Sequence, residues 1–229
     1  DGYGLNPKFI DEFIEKEIGL VITVDCGISC RTEIVKAKEN KIDMIITDHH
    51  RIPENYPEEA YAIIHPKAKG SDYPCKDLTG AGVALKLAQA LLDKYADPEI
   101  KDDFFTSLFD LASMGTVADL GPITGENKFI VKKGLKALAH TRWPGLSRLK
   151  QISGVDKRPL AASSIGFQLA PRINAAGRIG DPYLALSLLL QKDQGEKTEF
   201  LSNELEKLNF KRRELTQNAC FQAQDRIEK

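Results

Sequence analysis

Two short apolar runs in this chain end alike. Val21-Ile22-Thr23-Val24 is followed by Asp25-Cys26-Gly27, and Met44-Ile45-Ile46-Thr47 by Asp48-His49-His50. Carboxylates and imidazoles together form a borderline-hard donor set, suited to Mn²⁺, Mg²⁺, Fe or Zn. Cations held by such groups neutralise a phosphate, polarise its oxygens and lower the pKa of a water. Asp25, Asp48, His49 and His50 are therefore candidates for metal-assisted hydrolysis. Adjacent residues of an extended strand point to opposite sides, so the backbone must turn if Asp48 and His49 are to serve one site. A third acidic position is Asp119 in Gly115-Thr116-Val117-Ala118-Asp119, just before Gly121-Pro122. Taken alone, Asp119 reads as an ordinary turn residue.

The elements that must position these groups follow from the hydrophobic pattern. Asn6-Pro7 starts a helix, with Asn as cap and Pro at the first helical position; Gly19 is expected to end it. Leu20–Val24 reads as a buried strand and Ile42–Thr47 as a second strand, with a helix over Arg31–Asn40 between them, and Ala60–Ile64 is a third apolar run. Strand, helix, strand with short connections predicts a parallel sheet flanked by helices, an α/β fold. Ligands of such sheets bind outside the C-terminal ends of the strands, so Asp25 and the Asp48-His49-His50 group should face one crevice. Further helices are expected near Val83–Tyr95, Asp102–Ser113, Asn127–Ala139, Pro144–Lys150 and Pro182–Gln191, followed by a long one over Gly195–Glu228. The expected domains are 1–192 and a connecting helix over 193–229. Gly80-Ala81-Gly82 looks like the start of a dinucleotide fingerprint, but no strand immediately precedes it and the third Gly is absent. Close packing of a helix start is the expected reason for it.

Apolar residues make up 42% of the 229 and charged residues 28%, the profile of a globular chain. No apolar run reaches the roughly 18 residues of a membrane span, and the first residues do not read as a signal peptide. The four cysteines do not form a disulfide framework, and Cys26 with Cys30 has no second pair to complete a zinc-like set. Charge is uneven although the net is −1. Residues 1–60 hold thirteen acidic and seven basic side chains, whereas 140–180 hold seven basic and one acidic. An acidic region for cations and a basic one for phosphates suit a metal-dependent phosphodiesterase.

Val24-Asp25-Cys26-Gly27-Ile28-Ser29, Thr47-Asp48-His49-His50 and Gly115-Thr116-Val117-Ala118-Asp119 resemble, in order, the second, third and fourth motifs of the DHH phosphoesterases. Leu169-Ala170-Pro171-Arg172-Ile173-Asn174-Ala175-Ala176-Gly177-Arg178 resembles a further signature of the RecJ branch. Gly2-Tyr3-Gly4-Leu5 and Leu78-Thr79-Gly80-Ala81-Gly82-Val83-Ala84 resemble RecJ stretches too. The ordered set is far more specific than the DHH triplet.

The resemblance implies a DHH catalytic core followed by a helical region and a long connecting helix. It implies that Asp25 bridges two Mn²⁺ or Mg²⁺ ions, with His49 and Asp119 completing one of the sites. Asp48 would support the site and His50 would lie near the scissile phosphate or orient a ligand. Arg172, Asn174 and Arg178 would bind substrate phosphates. The implied reaction is hydrolysis of single-stranded DNA, by resemblance from the 5′ end, in repair and recombination. The implied setting is the cytoplasm near the nucleoid, as a monomer supplied by a helicase or single-strand-binding protein. Hydrolysis of short oligonucleotides or cyclic dinucleotides, and a non-catalytic scaffold, are the alternatives. The family's first motif, an Asp-x-Asp segment that supplies the second metal site, would lie before Asp1. Its Gly-rich C-terminal domain would lie beyond the long helix. The chain is therefore expected to be a central piece of a longer protein, weakly active or inactive alone. His65 stands before Pro66 where RecJ relatives carry Asn, and it is read as structural.

Overall fold

The computed structural model describes residues 4–228, so Gly2 and Tyr3 of the first RecJ-like stretch lie outside the described residues. The chain divides into two compact units, 1–134 and 135–229. The first unit is α/β. Helix α1 (Pro7–Glu15) is capped by Asn6, whose side chain accepts from the N–H groups of Lys8 and Phe9 at 2.9 and 3.2 Å. It ends before Gly19, because Glu17 itself takes the left-handed turn at φ 53° and Ile18 N–H returns to the Phe13 carbonyl.

Strands β1 (Leu20–Val24), β2 (Asp43–Thr47) and β3 (Ala62–Ile64) form a parallel sheet in that order, with Val24 opposite Thr47 and Thr47 opposite Ile64. Helix α2 (Arg31–Glu39) is the crossover between β1 and β2, as parallel strands require. Ile34 and Ala37 of α2 pack with Ile10 of α1 and with Met44 and Ile46 of β2 in one buried cluster. A second cluster is built from Leu78, Val83, Leu85, Phe109, Ala112 and Ile130. It joins helices α3 (Gly80–Tyr95), α4 (Lys101–Ala118) and α5 (Gly125–Ala139). Since all three strands run the same way, Asp25, Asp48 to His50, and His65 leave the sheet at one edge.

The second unit is helical, with α6 (Pro144–Ser153), a single turn α7 (Ala162–Ser164), α8 (Ala170–Ile179), α9 (Pro182–Leu189) and α10 (Glu196–Glu228). The buried Lys150 donates to the Leu138 and Ala139 carbonyls at 2.5 and 2.9 Å, capping the C-terminal end of α5. The RecJ-like stretch, which lies outside the helices expected from sequence, is helical. A wider π-helical turn over Ile165–Leu169 runs directly into α8. Gly166, Pro171 and Gly177 mask that helix in sequence. Pro171 has no N–H and its ring crowds the carbonyl four residues back, which a widened turn relieves. The first half of α10 packs on α6, α8 and α9, with Leu201 and Leu205 buried. Among the described residues no helix is long and apolar enough to cross a membrane.

Candidate metal centre

Asp25 follows β1 in a left-handed backbone conformation, φ 62°, that few non-glycine residues adopt. The surrounding structure fixes it there. Its N–H continues the sheet ladder to the Thr47 carbonyl at 2.9 Å, Thr23 Oγ1 donates to the Cys26 carbonyl at 2.7 Å, and Thr47 Oγ1 donates to the Thr23 carbonyl at 2.7 Å. Gly27 completes the turn at φ 111°, and a Cβ there would meet Thr23 Oγ1 at 3.1 Å and Ile46 Cγ2 at 3.3 Å. Backbone strain held by its surroundings concentrates at functional positions.

The reason for Gly80-Ala81-Gly82 is now visible. A Cβ on Gly80 would lie 2.0 Å from Asp25 Oδ1, so only glycine lets α3 begin against that carboxylate. Asp25 thus sits at the positive end of a 16-residue helix. Gly82 lies against Leu78, where a Cβ would come within 2.5 Å, so close packing accounts for it. Thr79 caps α3 and shares a 2.9 Å hydroxyl contact with Thr116 of α4. The fully buried Asn127 donates to the Asp77 and Pro122 carbonyls at 2.7 and 3.0 Å. These bonds hold the end of α4, where Asp119 is the C-cap residue, against the start of α3. Thr79 is legible in sequence as a cap before a helix. Nothing in the sequence marks Asn127.

The turn after β2 is wired by Asp48. Its buried carboxylate accepts from the N–H groups of Ile28, His49 and His50 at 3.0, 2.7 and 3.1 Å, and from the His50 ring Nδ1 at 2.7 Å. Burial alone would raise its pKa, but the bonds from Ile28 and His50, with that from His49, outweigh burial and hold it below the ordinary carboxyl value. Both Asp48 oxygens are thus engaged by donors of the protein, which fixes the turn. Because its Nδ1 donates to Asp48, the His50 ring presents Nε2 as its free nitrogen.

His49 points the other way. Its Nε2 lies 3.0 Å from Asp25 Oδ1 and 3.7 Å from Asp119 Oδ2. The nitrogen is buried, and its approach to Asp25 is close enough for an ion pair but too bent for a well-formed ring N–H hydrogen bond. The Asp25 carboxylate, with Asp119 and Asp48 adding to it against the effect of burial, holds His49 above its ordinary pKa. Burial, with Asp25 as a repelling neighbour, raises Asp119, and His49 opposes the rise. Donor atoms of Asp25, His49 and His50 all lie within 4.8 Å of one another. A buried imidazole nitrogen without a well-formed hydrogen bond, facing two carboxylates, is the geometry a divalent cation satisfies.

Asp25, Asp48, His49, His50 and Asp119 are thus brought together. The residues expected to bind phosphate lie in the second unit. Arg172 is tied there by its guanidinium to Glu206, through Nε and through Nη2 at 3.0 Å, and Nη1 donates to the Gln168 carbonyl at 2.6 Å. Asn174 and Arg178 are exposed. Sequence reading passes over His65 as structural, yet its ring bonds to the turn that carries His50 at 2.9 Å.

The family model for the N-terminal domain of the DHH family matches residues 3–116. The chain belongs to the DHH family. Over its whole length it is 41% identical to the single-stranded-DNA-specific exonuclease RecJ of Bacillus subtilis, and 36% identical to that of Escherichia coli. It spans 28% and 41% of those proteins. A crystal structure of exonuclease RecJ bound to manganese matches 96% of the chain with a TM-score of 0.83 at 36% identity, the chain covering 53% of it. RecJ of Thermus thermophilus in complex with Mn²⁺ matches 93% of the chain with a TM-score of 0.81 at 36% identity, the chain covering 31% of it. The chain is of the RecJ type within the family.

Proposed function

We propose that this chain carries the metal-binding core of a single-strand-specific DNA exonuclease that hydrolyses phosphodiester bonds with Mn²⁺ or Mg²⁺. The observation that carries the reading is the buried His49 Nε2, without a well-formed hydrogen bond, between Asp25 and Asp119. On this reading Asp25, His49 and Asp119 hold the cation. When bound, it supplies charge for the scissile phosphate and acidifies water. Asp48 keeps the turn fixed, and His50, polarised through Nδ1, meets a phosphate oxygen or a ligand with Nε2. Arg178 and Asn174 bind DNA phosphates from the face of α8. Arg172 positions that helix, and its charge adds to the local field. The work is done by a monomer in the cytoplasm, near the nucleoid, on strands opened by a helicase or coated by a single-strand-binding protein.

The test is Mn²⁺-dependent release of nucleotides from an end-labelled single strand by the complete gene product and by its Asp48→Ala variant. Stepwise release from the 5′ end, lost in the variant and absent on duplex, is the expected result. Release only from dimers or short oligomers would instead assign the site to small nucleotides. No release by the folded protein with any divalent ion would overturn catalysis and leave a scaffold.

A further inference from the structure

His65 follows β3 and is buried, and both of its ring nitrogens are committed to main-chain partners. Nδ1 lies 3.0 Å from the Lys67 N–H, which can only donate, and Nε2 lies 2.9 Å from the His50 carbonyl, which can only accept. These partners admit one arrangement: a neutral ring with its proton on Nε2. The location matters as well. The β2–β3 ladder ends with Asp48 N–H on the Ile64 carbonyl at 3.2 Å, and Pro66 has no N–H to donate the next rung. The His65 ring supplies a donor where the ladder stops.

The His50 peptide is consequently held on both sides. Asp48 accepts its N–H at 3.1 Å and its ring Nδ1 at 2.7 Å, and His65 donates to its carbonyl. We propose that His65 is a positioning residue for the proposed hydrolysis: as the Nε2–H tautomer it pins the His50 carbonyl and thereby fixes where His50 Nε2 meets its ligand or phosphate. This rests on the function proposed above. It assigns a task to a residue outside the motif, one that touches neither cation nor DNA. Its requirement is chemical: a donor and an acceptor at the spacing His65 provides. A cavity of about 190 Å³ borders the ring beside Ile64, Ser71, Tyr73 and Lys86, so side chains of other shapes fit without overpacking.

The experiment compares His65→Leu, which removes donor and acceptor, with His65→Gln and His65→Asn, which keep one of each. In the complete gene product, His65→Leu is expected to lower kcat on single-stranded DNA by about 10–100-fold with KM little changed, the size of other second-layer losses at metal sites. His65→Gln or His65→Asn should restore most of it. In histidine-labelled protein, ¹⁵N spectra should show His65 as the Nε2–H tautomer. The His50 ring signals should move in His65→Leu and return in the rescued variant. An Nδ1–H tautomer at His65, unmoved His50 signals, or a folded His65→Leu with unchanged kcat would each overturn the proposal. The spectra need neither DNA nor turnover. A protein without nuclease activity but with the expected spectra would therefore refute the function reading while leaving the His65 contact standing.

Discussion

The turn after β2 and helix α8 both carry polar residues that a reader of the sequence would single out, yet the protein holds them in opposite ways. In the turn, a buried carboxylate takes four hydrogen bonds, leaving His49 Nε2 buried against Asp25 and Asp119 and the Nε2 of the more exposed His50 free. On α8, the guanidinium of Arg172 is consumed by Glu206 and a carbonyl, whereas Asn174 and Arg178 project from the surface. The first arrangement suits chemistry, which needs donor atoms placed within tenths of an ångström. The second suits backbone binding, where flexible charges follow a phosphate chain without reading it.

If that contrast is right, the largest effects come from the cluster itself. Asp25→Asn should weaken Mn²⁺ binding, measured by titration calorimetry, beyond the about 10–100-fold typical of outer-shell changes. Nuclease activity should fall with it while the thermal midpoint stays close to that of the parent. Gly80→Ala is the sharper probe, because it changes no ligand. The new methyl would occupy space 2.0 Å from Asp25 Oδ1, so the carboxylate must move or the start of α3 must retreat. The expected outcome is a loss of Mn²⁺ affinity of about 10–100-fold. Unchanged affinity would show that the carboxylate can shift without cost, and the close approach of α3 would then be packing alone.

The sheet and its functional edge were legible because short β-branched runs, the first two ending in Asp, leave few alternatives, and parallel strands bring their ends to one side. The burial expected of β1 was not met: Leu20, Ile22 and Val24 are exposed. The strained φ at Asp25 and the approach of Gly80 to it were not legible, since both depend on residues far apart in the chain meeting in space. Helix α8 was hidden by Gly166, Pro171 and Gly177, which read locally as loop and are tolerated through a widened turn. The chain boundary between compact units falls at Gly134 within the pattern of a single helix, where composition gives no sign.

Asp48 offers a pH-dependent version of the comparison. Its folded pKa lies below the ordinary value, so its stabilising bonds are fully present above the unfolded carboxyl pKa of about 4 and are lost as pH falls through the lowered folded value. Asp48→Asn removes that titration. Urea midpoints followed from pH 7 to pH 3 should therefore fall less steeply in the variant, after an initial loss of about 1–3 kcal/mol at pH 7. Parallel curves would mean that other carboxylates govern the acid limb and that Asp48 is only geometric.

The smallest effects separate the two arginines of α8. Arg172→Ala breaks a mostly buried contact and should cost about 1–3 kcal/mol of stability, read as a lower urea midpoint. Arg178→Ala should leave the midpoint unchanged. Its signature is electrostatic instead: removing one phosphate contact lowers the slope of log affinity against log salt by about 0.7 for a single strand. Affinity itself should drop uniformly across DNA sequences, because a phosphate contact carries no base information. If Arg172→Ala moved the salt slope and Arg178→Ala did not, the buried guanidinium would be exchanging Glu206 for phosphate on binding. The ion pair seen here would then be the resting state of a DNA contact.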